Sequence, residues 1–196
     1  MSDVLLDLKL PHTYEVQVTA EAPPRADDER YFYFPSAAGA PGPGSIFLEV
    51  WPSAGPRWFG TFADGAGPSS FSAVFSAPHE DRLCVVSKGS GIIVDSRQPA
   101  SFVPIDLFPI VEVRVVLDPK LLVFVSLTRI AAYDRDGKRW KTPDLSWDGL
   151  RVTSQSSRTI EALAWDVVTD RHVNVSVDLE TGQFTGGASP SLTNSR

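Results

Sequence analysis

The chain has 196 residues, 42% of them apolar and 21% charged, with a formal net charge of −6. That is enough to bury a sizeable core in one domain or two small ones, and too apolar for global disorder. The acidic balance and the lack of any Lys/Arg-rich run argue against a nucleic-acid surface, and no segment approaches the roughly 18 uninterrupted apolar residues that span a bilayer.

The first ten residues lack a basic stretch and are broken by Asp3 and Asp7, so no secretory signal is expected. Cys84 is alone, which rules out an internal disulfide framework and fits a reducing cytoplasm. Basic residues are thirteen Arg against five Lys, a bias that points to a GC-rich bacterium. Sixteen prolines and fourteen glycines run through the whole sequence. A proline inside a helix costs about 3 kcal/mol, and no amphipathic stretch of three turns appears, so a nearly all-β chain is expected.

In chain order, alternation predicts strands at 14–19, 31–34 and 45–51. Between them lie two insertions, 20–29 and the low-complexity loop 35–44, Pro-Ser-Ala-Ala-Gly-Ala-Pro-Gly-Pro-Gly. Strands follow at 58–62, 71–75, 82–87 and 92–95, with Lys88-Gly-Ser-Gly91 supplying a tight hairpin. Residues 102–109 are apolar but carry two prolines, which reads as an extended connector or edge segment. Strands then run at 111–117, 121–126, 129–134, 139–142, 150–154, 159–165, 172–178 and 183–185. Asp118-Pro-Lys120 and Asp134-Arg-Asp-Gly137 are connections short enough to force antiparallel neighbours. The tail 187–196 is expected to fray. A boundary would fall in 35–44 or near 65–70, but strand pattern on both sides favours a single β domain over 1–196.

The segments Ile130-Ala-Ala-Tyr-Asp-Arg-Asp-Gly-Lys-Arg-Trp140 and Val175-Ser-Val-Asp-Leu-Glu-Thr-Gly-Gln-Phe184 resemble the closing hairpins of blades in quinoprotein-type β-propellers, and Lys88–Asp95 is a fainter third instance. There a hydrophobic strand ends in Asp, the turn carries Thr-Gly or Asp-Gly, and the next strand opens toward a Trp. The resemblance implies meandering four-stranded sheet units, stacked or joined into a sandwich, and brings no quinone chemistry with it. A full ring needs at least four blades of about 40 residues, which this length barely reaches. The expected fold is therefore all-β, built of antiparallel meander sheets, sandwich-like or partial-propeller-like.

Five tryptophans, Trp51, Trp58, Trp140, Trp147 and Trp165, suit either an aromatic platform or the filling between sheets. Trp147 stands out because Leu145-Ser-Trp-Asp-Gly-Leu150 is a turn after Pro143. The candidate ligand-binding set is Trp147, Asp148, Trp140 and Trp58.

Asp134–Gly137 resembles half a calcium loop, but Lys138, Arg139 and Lys141 follow where further oxygen ligands are needed. His79 and Cys84 lack an oriented third partner, and Cys84 reads as a packed strand residue. His12, His79 and His172 have no metal-ligand spacing. Ser90 is not in a nucleophile elbow, and the pairs Asp166/Asp170 and Glu80/Asp81 read as turn acids. No catalytic residue, metal or cofactor is assigned.

The expectation is a non-enzymatic cytoplasmic binding or protein-interaction module, whose partner is another protein or a second copy of itself in a homodimer. The alternatives are carbohydrate or small-ligand binding through exposed tryptophans, and a hydrolase using loop carboxylates.

Overall fold

A computed structural model describes residues 4–22, 30–35, 41–65 and 67–188. Within them the chain is all-β, with seventeen strands and no helix, hence no helix long and apolar enough to cross a membrane. Half of loop 35–44 (residues 36–40), most of insertion 20–29 (residues 23–29) and the tail from 189 lie outside the described residues. The contacts divide the chain into two compact units, 1–109 and 110–196.

The first unit holds two sheets. One, in the order β1-β6-β7-β8-β9, comprises Leu5–Asp7, Ala73–Ser76, Arg82–Ser87, Ser90–Asp95 and Phe102–Pro104. The other, in the order β2-β4-β5-β3, comprises Tyr14–Thr19, Ile46–Pro52, Trp58–Phe62 and Arg30–Phe34. The inward positions of both share one core that includes Leu48, Val50, Trp58, Phe62, Leu83, Val85 and Val94.

Two pairings here are parallel, β1 with β6 and β3 with β5, against an expectation of antiparallel meanders throughout. Neither pair is joined by a hairpin. Each adds an edge strand brought in by a distant part of the chain, and alternation carries no information on strand direction. β1 was not expected at all, because three residues are too short to show a period. The proline-bearing segment 102–109 does supply an edge strand, β9, pairing only with β8.

The second unit is two four-stranded antiparallel meanders in simple chain order. The first runs β10 (Glu112–Val116), β11 (Leu121–Val125), β12 (Ile130–Asp134), β13 (Gly137–Lys141). The second runs β14 (Arg151–Gln155), β15 (Thr159–Asp166), β16 (Arg171–Asp178), β17 (Phe184–Gly186). Their facing sides close one core: Val116, Leu121, Val123, Val125 and Ile130 from the first, Val152, Ile160, Ala162, Val175 and Val177 from the second. Burying each aliphatic side chain of this kind stabilises by about 1.5–3 kcal/mol before chain entropy is counted. The hairpins singled out in the sequence, 130–140 and 175–184, are the third-to-fourth-strand hairpins of the two meanders. Each unit is thus a pair of face-packed sheets, and the second is made of two blade-like meanders.

Candidate functional site

The one long connection within the second unit links its two meanders, and it is pinned along its whole length. Thr142 extends β13: its N–H donates to the Ile130 carbonyl (2.9 Å), and its hydroxyl accepts from Ile130 N–H (3.0 Å). Pro143 then ends the ladder. Arg129 grips Asp144 through Nε and Nη2 at 2.6 and 2.7 Å, and Thr128 Oγ1 donates to the same carboxylate at 2.8 Å. These donors, Arg129 first, hold the Asp144 carboxyl below its ordinary value. Leu145 and Leu150 sink into the core on either side of the turn, and their N–H groups donate to Thr128 and Leu127 carbonyls at 2.8 and 2.9 Å. Two buried leucines five positions apart therefore bracket a turn whose Ser146 stays inside while Trp147, Asp148 and Gly149 are pushed outward.

Ser146 fixes the turn to the edge of β15. Its side chain is wholly buried. The hydroxyl accepts from Trp165 N–H at 2.8 Å and donates to the Asp148 carbonyl at 2.6 Å. Trp147 N–H in turn donates to the Trp165 carbonyl at 3.1 Å. Gly149 has a φ of +67°, a conformation that glycine accepts without strain.

Beside this turn stands the β15–β16 hairpin tip, residues 167–170. Asp166 organises it: Thr169 Oγ1 donates to Oδ2 at 2.6 Å and Val168 N–H to Oδ1 at 3.1 Å. The Thr169 hydroxyl above all, with the backbone donors, lowers the Asp166 pKa. A carboxylate so held stays ionised at neutral pH and is a poor general acid. At the tip itself Val167 is 54% and Val168 72% exposed, and Trp147 is 38% exposed. Trp165 and His172, opposite each other on β15 and β16, meet edge-to-face at 5.1 Å. The turn and the adjoining tip thus expose one aromatic and two valines, an apolar corner flanked in the chain by the exposed Asp148 and Asp170.

Of the residues expected to bind a ligand, Trp147 and Asp148 sit on this corner. Trp140 and Trp58 do not join them. Trp140 is only 9% exposed, its indole N–H donating to the Leu179 carbonyl at 2.9 Å. Trp58 is fully buried in the core of the first unit, its N–H donating to the Ser96 carbonyl at 2.7 Å and its ring edge-to-face with Phe32. Both indoles are satisfied core residues, and their faces are not open to a ligand.

Sequence reasoning missed Val167 and Val168, though a signal was there. Hairpin tips favour Gly, Asn and Asp, so two adjacent valines between Asp166 and Asp170 are out of character for a turn. Cys84 is fully buried, and burial pushes its thiol pKa up, away from a reactive thiolate. Among the described residues no group of three or more His, Cys, Asp or Glu side chains is placed to hold a metal ion.

No protein-family model matches the chain, and no curated protein matches it. Among solved structures, one described as the crystal structure of the N-terminal domain of Nup159 matches at a TM-score of 0.44 and 12% identity, covering 94% of this chain and 53% of that one. Another, an S. cerevisiae complex of a Dbp5 variant bound to Nup159, a Gle1 variant, IP6 and ADP, matches at 0.44 and 11% identity, covering 100% of this chain and 55% of that one. This chain spans about half the length of each matched chain.

Proposed function

We propose that the chain is a protein-binding module, and that its second unit docks an apolar segment of a partner protein against Trp147, Val167 and Val168. The observation that carries this is the valine pair, exposed at a hairpin tip that hydrogen bonds hold rigid, at the end of the strand to which the turn of the exposed Trp147 is hydrogen-bonded. Exposed apolar surface loses its contact with water when a partner covers it, and a pre-ordered surface loses little entropy in doing so. Asp148 and Asp170 at the border complement a segment whose apolar side chain is flanked by Lys or Arg.

Sugar recognition is supported less well. A sugar face stacks on an open aromatic ring ringed by hydrogen-bonding groups, whereas here the indole is only 38% exposed and the exposed residues of the adjoining hairpin tip include two valines. A reducing, cytoplasmic setting is part of the same proposal, supported by the lone, buried thiol of Cys84.

The test compares three immobilised proteins, wild type, Val168→Asp and Leu117→Asp, against extract of the source organism. Leu117 is an exposed apolar residue on another hairpin tip of the same unit. A host protein held by wild type and Leu117→Asp but released by Val168→Asp is the expected result. The same proteins held by all three, or tryptophan fluorescence quenched by an oligosaccharide panel, would contradict it. Self-association seen by sedimentation and abolished by Val168→Asp would make the partner a second copy of the chain.

A further inference from the structure

Three Asp–Gly dipeptides occur in the sequence: Asp64–Gly65, Asp136–Gly137 and Asp148–Gly149. An aspartyl side chain followed by glycine is open to attack on its carboxyl carbon by the next backbone nitrogen, because glycine has no Cβ to shield that nitrogen or restrict its approach. A fold decides whether the nitrogen is held elsewhere. Gly65 donates to the Ser87 carbonyl at 3.1 Å, and the Asp64 carboxylate is drawn to Lys88 Nζ at 3.2 Å. Gly137 is a ladder residue, paired with Asp134 at the start of β13. Gly149 differs from both. Its N–H is directed at Oδ1 of Asp148, 2.8 Å away and one bond from the carbon to be attacked. Asp148 and Gly149 are exposed, so water reaches the carboxyl group, and the space where a Gly149 Cβ would sit is open.

The geometry points to Asp148–Gly149 as a self-modification site that closes to a succinimide and reopens to isoaspartate. The Gly149 nitrogen forms a bond to Asp148 Cγ, and the amide proton leaves with the carboxyl hydroxyl as one water. Water then adds to either ring carbonyl. Breaking the new Cγ–N bond restores aspartate. Breaking the original peptide C–N bond leaves the chain running through the side-chain carbon, which is isoaspartate. No oxidant, reductant or co-reactant other than water takes part. The peptide carbonyl oxygen of Asp148 already accepts from the buried Ser146 hydroxyl at 2.6 Å, which polarises the carbon whose opening gives the isoaspartyl product. The inserted backbone carbon falls between Trp147 and Leu150, so the conversion would displace the turn that presents Trp147. The chemistry itself does not depend on what the unit binds.

The test ages the full chain at neutral pH and physiological temperature, folded and in concentrated urea. Isoaspartate is then read in proteolytic peptides by isoaspartyl methyltransferase labelling and electron-transfer fragmentation. In the folded protein, label is expected to accumulate in the tryptic peptide 142–151 severalfold over the peptides carrying Asp64–Gly65 and Asp136–Gly137. In urea the three should converge, and Asp148→Glu should remove the folded-state signal. A folded protein that distributes label as the unfolded one does, or that favours either other dipeptide, would overturn the assignment.

Discussion

Ser146 shows how much of this molecule rests on single polar atoms. Its hydroxyl sits in a fully buried position and serves Trp165 N–H and the Asp148 carbonyl at once. Ser146→Ala leaves both groups without their partner, so a loss of about 1–3 kcal/mol is expected in urea denaturation. It should be accompanied by a change in Trp147 fluorescence as the turn loosens. Asp144 gives a pH signature. Its folded pKa is depressed, chiefly by Arg129, so the stability it contributes is fully present above the unfolded carboxylate pKa. That stability drains away as the pH falls through the lowered folded value. Urea midpoints of wild type should therefore drop on acidification, and Asp144→Asn should be less stable at neutral pH with a shallower acid limb. An unchanged limb in Asp144→Asn would contradict the clamp. At this scale the sequence disclosed Trp147 and Asp148, because a Trp-Asp-Gly turn after a proline is local chemistry. It could not disclose Ser146 or the Arg129–Asp144 clamp, whose partners lie 15 or more positions away.

Elements were legible where hairpins make them local. Strands 14–19, 58–62 and 82–87 coincide with β2, β5 and β7, and the acidic Gly-containing turns do close hairpins. The parallel pairs β1–β6 and β3–β5 were not legible, since direction and partner are set by chain that returns from elsewhere. The hairpin from β16 to β17 offers a test of close packing. Gly182 has a φ of +72°, and a Cβ there would lie 2.7 Å from Cδ2 of Trp140. Gly182→Ala meets both a left-handed backbone cost of roughly 1–2 kcal/mol and a ring that is itself tied to Leu179. A lower urea midpoint and a shifted Trp140 environment are expected, whereas an unchanged midpoint would show that the hairpin is free to move away. The tip 167–170 should tolerate change far better. Val168→Asp is expected to leave the midpoint within about 0.5 kcal/mol of wild type, as surface substitutions do, which makes it a clean probe of binding.

On the scale of the whole chain, the division at Pro109–Ile110 leaves no mark in composition, because the residues on both sides of it are apolar. What the sequence did carry was the repeat of the hairpin, and that repeat proves to be the pair of meanders in the second unit. That unit closes a core from its own two sheets, so the fragment 110–196 is expected to fold alone. It should give a β-type circular dichroism spectrum and one cooperative urea transition; a fragment that stays unfolded would contradict this. The proposed binding role requires the apolar corner to be a contact surface. Its sharpest measurement is photocrosslinking in the source cells with benzoylphenylalanine placed at position 168 and, as comparison, at position 103, an exposed apolar site on β9 of the first unit. One discrete protein adduct at 168 and none of the same mass at 103 is the expected outcome. Adducts absent at 168, or identical at both positions, would contradict it.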